Sequence, residues 1–199
     1  VLTGGARSGK SRAAQRLAVS RQAEGVSVVV AVFARNDFDD AEMTARIECH
    51  RADRPEGFAT LEAQDSDGWL AEVPTEALLV VDCLGTLLGL ALEEVWRESA
   101  GQELGQAGTG LPAGLEAAYH ERADAIVSEL AGRMGDTIVV TNEVGMSVVP
   151  EYASARLFRD ALGRANAALV SAADVSYLAV AGRLLELTGL PREAHWPVD

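Results

Sequence analysis

The chain has 199 residues, 48% of them hydrophobic, with 30 acidic against 17 basic side chains and a net charge of −13 at pH 7. That content supplies the core of one domain, residues 1–199, and the acidic excess argues against a nucleic-acid partner, whose phosphates call for a basic face. No apolar run approaches the ~20 residues that span a bilayer and no signal peptide is visible, so a cytoplasmic location is expected.

Only Val-Leu-Thr precedes the first glycines. A first strand is normally longer, so a few residues are expected to be missing upstream. Then comes Gly4-Gly5-Ala6-Arg7-Ser8-Gly9-Lys10-Ser11, which matches the phosphate-binding loop pattern G-x-x-x-x-G-K-S. Lys10 is the only lysine, against 16 arginines. A chain that otherwise always uses Arg keeps one Lys where a compact ammonium fits and a flat fork does not. In such a loop successive backbone N–H groups wrap a polyphosphate at a helix N-terminus. Lys10 would reach the β- and γ-phosphates, and the Ser11 hydroxyl would take a Mg²⁺ position. The plainer alternative is a glycine-rich turn that caps a helix.

Residues 10–20 read as that helix, with Ala13, Leu17 and Ala18 facing inward. The run VSVVVAVFA (26–34) reads as a strand covered on both faces. Asp39 or Asp40 caps a helix over AEMTARIECHR, broken at Arg54-Pro55 and Gly57. Residues 57–63 form a short strand and 77–82 a buried one. Residues 84–132 are mostly helical, with a mobile loop at 101–114. DTIVVTNEVG (136–145) gives a strand running into polar residues, 154–173 an amphipathic helix, and 175–187 a strand with a hairpin.

Alternating strands and helices predict an α/β fold, an open and mostly parallel sheet flanked by helices. Ligands of such sheets sit beyond the carboxyl ends of the strands. The Gly4–Ser11 loop, Ala34-Arg35-Asn36, Asp82 and Thr141-Asn142-Glu143 would all converge there. Asp82 ends the apolar run LLVVD, the place of the Mg²⁺-side acid in P-loop proteins, or else it caps the next helix. Asp82-Cys83-Leu84-Gly85 also fits the D-x-x-G of GTPase switches, but N-K-x-D cannot occur in a chain whose one lysine is at position 10. Glu143 orients a hydroxyl, binds metal or caps a helix. Arg156, Arg159, Asp160 and Asn166 read as a solvated face of the last long helix.

Cys49 and Cys83 make no C-x-x-C and are expected to stay reduced, and His50, His120 and His195 are too far apart for a local zinc motif. His50 stands among Arg46, Arg51 and Arg54, on one predicted helix face with Met43 and Ile47. It is either a core histidine or a nucleophile. Three guanidiniums disfavour protonation of the ring, leave a nitrogen able to attack phosphorus, and neutralise charge building on a transferred group.

Five blocks in one order carry a resemblance over nearly the whole chain: GGARSGKSR; DAEMTARIECHRADRP followed by TLE; VVDCL; VTNEVG with VVP; and RLFRDALGRAN then AAD. They resemble the bifunctional adenosylcobinamide kinase / adenosylcobinamide-phosphate guanylyltransferase family of cobalamin assembly. The resemblance implies a P-loop NTPase-like, RecA-like sheet, self-association into a homo-oligomer, and two reactions. A nucleoside triphosphate (ATP or GTP, with Mg²⁺) phosphorylates the aminopropanol hydroxyl of adenosylcobinamide. GTP then guanylylates a histidine, and the guanylyl group passes to the cobinamide phosphate. The histidine falls on His50. Nucleotide contacts fall on Gly4 to Ser11, Ala34, Arg35, Asn36, Arg51, Ala52, Asp53, Arg54, Glu62 and Asp82. Three positions depart from the family pattern: Arg35 replaces a threonine, Phe58 a tryptophan and Gly85 a threonine. Two other readings stay open, a P-loop kinase for another small alcohol and a nucleotide-binding regulatory protein.

Overall fold

Short β-branched and leucine-rich runs assemble into one seven-stranded sheet in the computed structural model, which describes residues 1–33, 55–100 and 110–192. The strands are β1 (Leu2–Gly4), β2 (Val28–Phe33), β3 (Ala59–Ala63), β4 (Leu78–Asp82), β5 (Thr137–Val140), β6 (Tyr177–Val180) and β7 (Arg183–Glu186). Their order is β3-β2-β4-β5-β1-β6-β7, and every pairing is parallel except the β6–β7 hairpin. The described helices are α1 (Lys10–Ala23), α2 (Leu84–Ala100), α3 (Leu115–Gly132) and α4 (Ala153–Ala172). This is the predicted α/β, P-loop NTPase-like architecture, C-terminal hairpin included.

Because side chains alternate across a strand, β4 feeds two cores. Leu78 and Val80 join Ala14 and Ala18 of α1 on one face, together with Val28, Val30 and Leu2. Leu79 and Val81 join the other face, where α2, α3 and α4 pack. There Tyr119 of α3 is fully buried and donates its hydroxyl to Leu88 O at 3.0 Å. Phe33 at the end of β2 meets Trp69 edge-on, with centroids 4.9 Å apart. No helix among the described residues is long and apolar enough to cross a membrane.

Several expectations shift. The buried stripe of α1 is Lys10, Ala14 and Ala18, an i, i+4, i+8 row, whereas Leu17 lies off that row and is 46% exposed. The small alanines let α1 approach the sheet closely. The regular part of β5 ends at Val140, where the polar residues begin as expected, and Thr141 N still donates to Leu2 O at 2.9 Å and Glu143 N to Gly4 O at 3.0 Å. Residues 141–143 therefore leave β4 while staying laddered to β1. The helix predicted after Asp39 or Asp40 and residues 101–109 of the predicted loop lie outside the described residues.

The β6–β7 hairpin turns at Ala181 (φ 49°) and Gly182 (φ 76°), two successive positive φ values that suit the right-handed twist of a two-residue hairpin. In β1, Gly4 has φ 146° and lies so close to β6 that an added Cβ would stand 2.3 Å from Ala179 O. Gly4→Ala must strain its own backbone and push β6 away. We expect it to cost about 3 kcal/mol, read as a melting temperature lowered by about 6–12 °C.

Candidate functional site

β1, β4 and β5 are adjacent and parallel, so Gly4, Asp82 and Thr141 reach the same edge of the sheet. The chain leaves β1 at Gly4 and returns as α1 at Lys10, so residues 5–9 must reverse it over that edge. Arg7 (φ 57°) and Gly9 (φ 100°) supply left-handed backbone for the reversal. Gly5, Ala6, Arg7 and Gly9 are exposed, leaving the rim of the loop open to a ligand. From the far side, Gly182 N of the hairpin turn donates to Ser8 O at 3.1 Å, so β6–β7 props the loop from behind.

Lys10 is 6% exposed, and its Nζ donates to Gly4 O at 2.8 Å and Gly5 O at 2.7 Å. Burial pushes its pKa below the ordinary lysine value, while Cys83 and Asp82 act in the opposite direction. The ammonium thus lies folded under the loop with two of its three donors on carbonyls. The Ser8 hydroxyl is buried with no hydrogen-bond partner among the described residues.

Ser11, at the second position of α1, donates its hydroxyl to Asp82 Oδ1 at 3.3 Å. The helix-cap alternative for Asp82 gives way, because the first turn of α2 is closed by Thr86, whose Oγ1 accepts from Cys83 N at 3.3 Å and donates to Cys83 O at 2.7 Å. A hydroxyl beside a carboxylate at the rim of such a loop is a hard-oxygen pair of the kind Mg²⁺ prefers. Among the described residues no group of three or more His, Cys, Asp or Glu could hold an ion by itself. A narrow cleft beside the pair is lined by Gln15, Val30, Phe58 and Val80, placing Phe58 next to Ser11 and Asp82.

The strand-end expectation holds for Gly4–Ser11, Asp82 and Thr141–Glu143. Glu62 lies on β3, paired with Val32, at the sheet edge. Four strand steps separate β3 from β1, about 19 Å at the usual spacing, and Glu62 stands near the carboxyl end of its strand, on the same edge of the sheet as the loop. Ala34, Arg35, Asn36, Arg51, Ala52, Asp53, Arg54 and His50 lie outside the described residues.

Asn166 was expected on a solvated face but is 5% exposed. Its Oδ1 accepts from the Thr141 hydroxyl at 2.6 Å and its Nδ2 donates to Asn142 O at 3.0 Å, pinning the segment that follows β5. The spacing Leu162, Asn166, Leu169 puts it on the buried stripe of α4, a pattern visible in the sequence. Arg156 donates to Pro150 O at 3.0 Å and to Glu151 O, closing the same segment from its other end.

Comparison with known proteins agrees with this geometry. The family model described as cobinamide kinase / cobinamide phosphate guanyltransferase matches residues 1–187. The chain is 34% identical over 184 residues to the bifunctional adenosylcobalamin biosynthesis protein CobU of Escherichia coli K12, covering 92% of this chain and 95% of that protein. It is 33% identical to the protein of the same description from Salmonella typhimurium, with the same coverage. It is also 33% identical over 195 residues to CobP of Pseudomonas aeruginosa, again described as a bifunctional adenosylcobalamin biosynthesis protein, covering 96% and 98% of the two chains. With a loop of this form at the head of a parallel sheet and a match running through nine-tenths of its length, the chain belongs to the cobinamide kinase / cobinamide phosphate guanyltransferase family.

Proposed function

We propose that this protein is an enzyme of adenosylcobalamin synthesis that carries out two transfers. In the first, the γ-phosphoryl group of ATP or GTP moves to the aminopropanol hydroxyl of adenosylcobinamide. In the second, His50 attacks the α-phosphorus of GTP and releases pyrophosphate, and the guanylyl group then passes to the cobinamide phosphate, giving adenosylcobinamide-GDP.

What supports the nucleotide half most directly is Lys10, the one lysine in the chain, buried under the loop within 2.8 Å of two of its carbonyls. The loop N–H groups and the N-terminus of α1 would hold the phosphates, with Lys10 as the point charge between them. Ser11 and Asp82 would hold Mg²⁺, which supplies charge neutralisation on the phosphate oxygens. Phosphoryl transfer needs little else from a protein than position and charge. The guanylyl half rests on the resemblance carried by DAEMTARIECHRADRP, the block that holds His50 and its arginines, where a neutral imidazole would divide one displacement into two.

The test is incubation with Mg²⁺ and GTP labelled at the α-phosphate, with no acceptor. Acid-labile label should appear on the protein and discharge onto added cobinamide phosphate. Protein that stays unlabelled yet phosphorylates cobinamide would be a kinase alone, and protein that binds triphosphate and turns over neither acceptor would be a regulatory binder.

A further inference from the structure

Glu143 follows β5 directly beside the start of the phosphate-binding loop. Its own backbone N–H donates to Gly4 O at 3.0 Å, and the same carbonyl accepts from Lys10 Nζ at 2.8 Å. One carbonyl oxygen thus ties the end of β5, the start of the loop and the phosphate-gripping ammonium together. The attachment is stiff, because the Asn166 bonds to Thr141 and Asn142 fix the two preceding residues. Glu143 is only partly buried, and one of its oxygens, Oε1, accepts from Gly145 N at 3.1 Å. That bond fixes the rotamer and leaves Oε2 with no hydrogen bond among the described residues.

Immediately downstream the chain is apolar and exposed: Met146 is 83% accessible, Val148 90%, Val149 62% and Tyr152 71%. Soluble surfaces seldom gather so much apolar area without something to place on it. Glu143 therefore lies at the seam between a triphosphate loop and an apolar surface. A large acceptor with a hydroxyl on a short arm would rest its body on 146–152 and extend the arm toward Glu143.

We propose that Glu143 is the general base of the kinase step, an inference that rests on the function proposed above. The acceptor hydroxyl oxygen forms its bond to the γ-phosphorus, the bond from that phosphorus to the β,γ-bridging oxygen breaks, and its electron pair leaves on the nucleoside diphosphate. The hydroxyl proton passes to Glu143 Oε2. The guanylyl step has a phosphate as acceptor, already without that proton, and does not use Glu143.

The test is Glu143→Gln, which keeps an oxygen for Gly145 N and removes only basicity. The kinase kcat should fall at least about 100-fold, with the KM for nucleotide unchanged. Guanylyl transfer from GTP to separately supplied cobinamide phosphate should stay within about twofold of wild type, which also shows that the variant is folded. A kinase kcat retained in Glu143→Gln would leave the side chain as a turn cap and overturn the assignment. So would recovery of full rate at high Mg²⁺, which would make Glu143 a metal ligand, or equal loss of both transfers, which would place it in the fold. Wild-type protein that phosphorylates no cobinamide at all would instead defeat the proposed function.

Discussion

Lys10→Arg is expected to lower kcat/KM for the triphosphate on the order of 10²–10³-fold, nearly as far as Lys10→Ala. Conserving the charge does not help, because the site is built for the shape of an ammonium. Nζ fits between Gly4 O and Gly5 O at 2.8 and 2.7 Å, and the side chain is 6% exposed beneath a loop whose ends are fixed by β1 and α1. A guanidinium is flat, wider, and donates in a fixed fork. To enter the same space it must lift the loop off Gly182, which holds it through Ser8 O at 3.1 Å, or swing out past the rim. Either movement spoils the cradle of N–H groups. Overpacking should also cost about 1–3 kcal/mol of stability. Kinetics and thermal melts of Lys10→Arg and Lys10→Ala together check this. An arginine variant with a third or more of the wild-type activity would show that charge alone suffices.

Much of this was legible because local pattern and global fold agree. Residues 28–33 and 78–81 are apolar without interruption, as strands covered on both faces must be, and the loop pattern fixes β1 and α1 around it. Once strands alternate with helices, the rule that ligands sit at carboxyl ends brings Gly4, Asp82 and Glu143 together with no further information. The failures are of two kinds. The row that α1 buries is one position over from Ala13 and Leu17: Leu17 falls off the stripe set by Lys10, Ala14 and Ala18, and Asn166, polar by type, falls on the stripe set by Leu162 and Leu169. The contact of Gly182 with Ser8, and that of Gly4 with Ala179, join residues about 175 positions apart, and no local pattern encodes them.

His50→Ala is expected to abolish transfer of label from α-labelled GTP to protein and to lower guanylyl transfer on the order of 10⁴-fold or more, while phosphorylation of cobinamide stays within about threefold. The asymmetry follows from the chemistry. Guanylyl transfer through a covalent intermediate has no route once its nucleophile is gone, because the methyl of alanine offers no lone pair. Phosphoryl transfer uses the loop, Lys10, the Ser11–Asp82 pair and the base proposed at Glu143, and an imidazole is not among these groups. Three variants then dissect one protein. Lys10→Arg should remove both transfers, Glu143→Gln the first alone and His50→Ala the second alone. A cross-check comes from order of addition: His50→Ala should accumulate cobinamide phosphate, and wild-type protein already carrying label should consume that product without added GTP. Persistent acid-labile label in His50→Ala would move the nucleophile to another residue, and loss of both transfers in that variant would mean that the histidine serves the common triphosphate site instead.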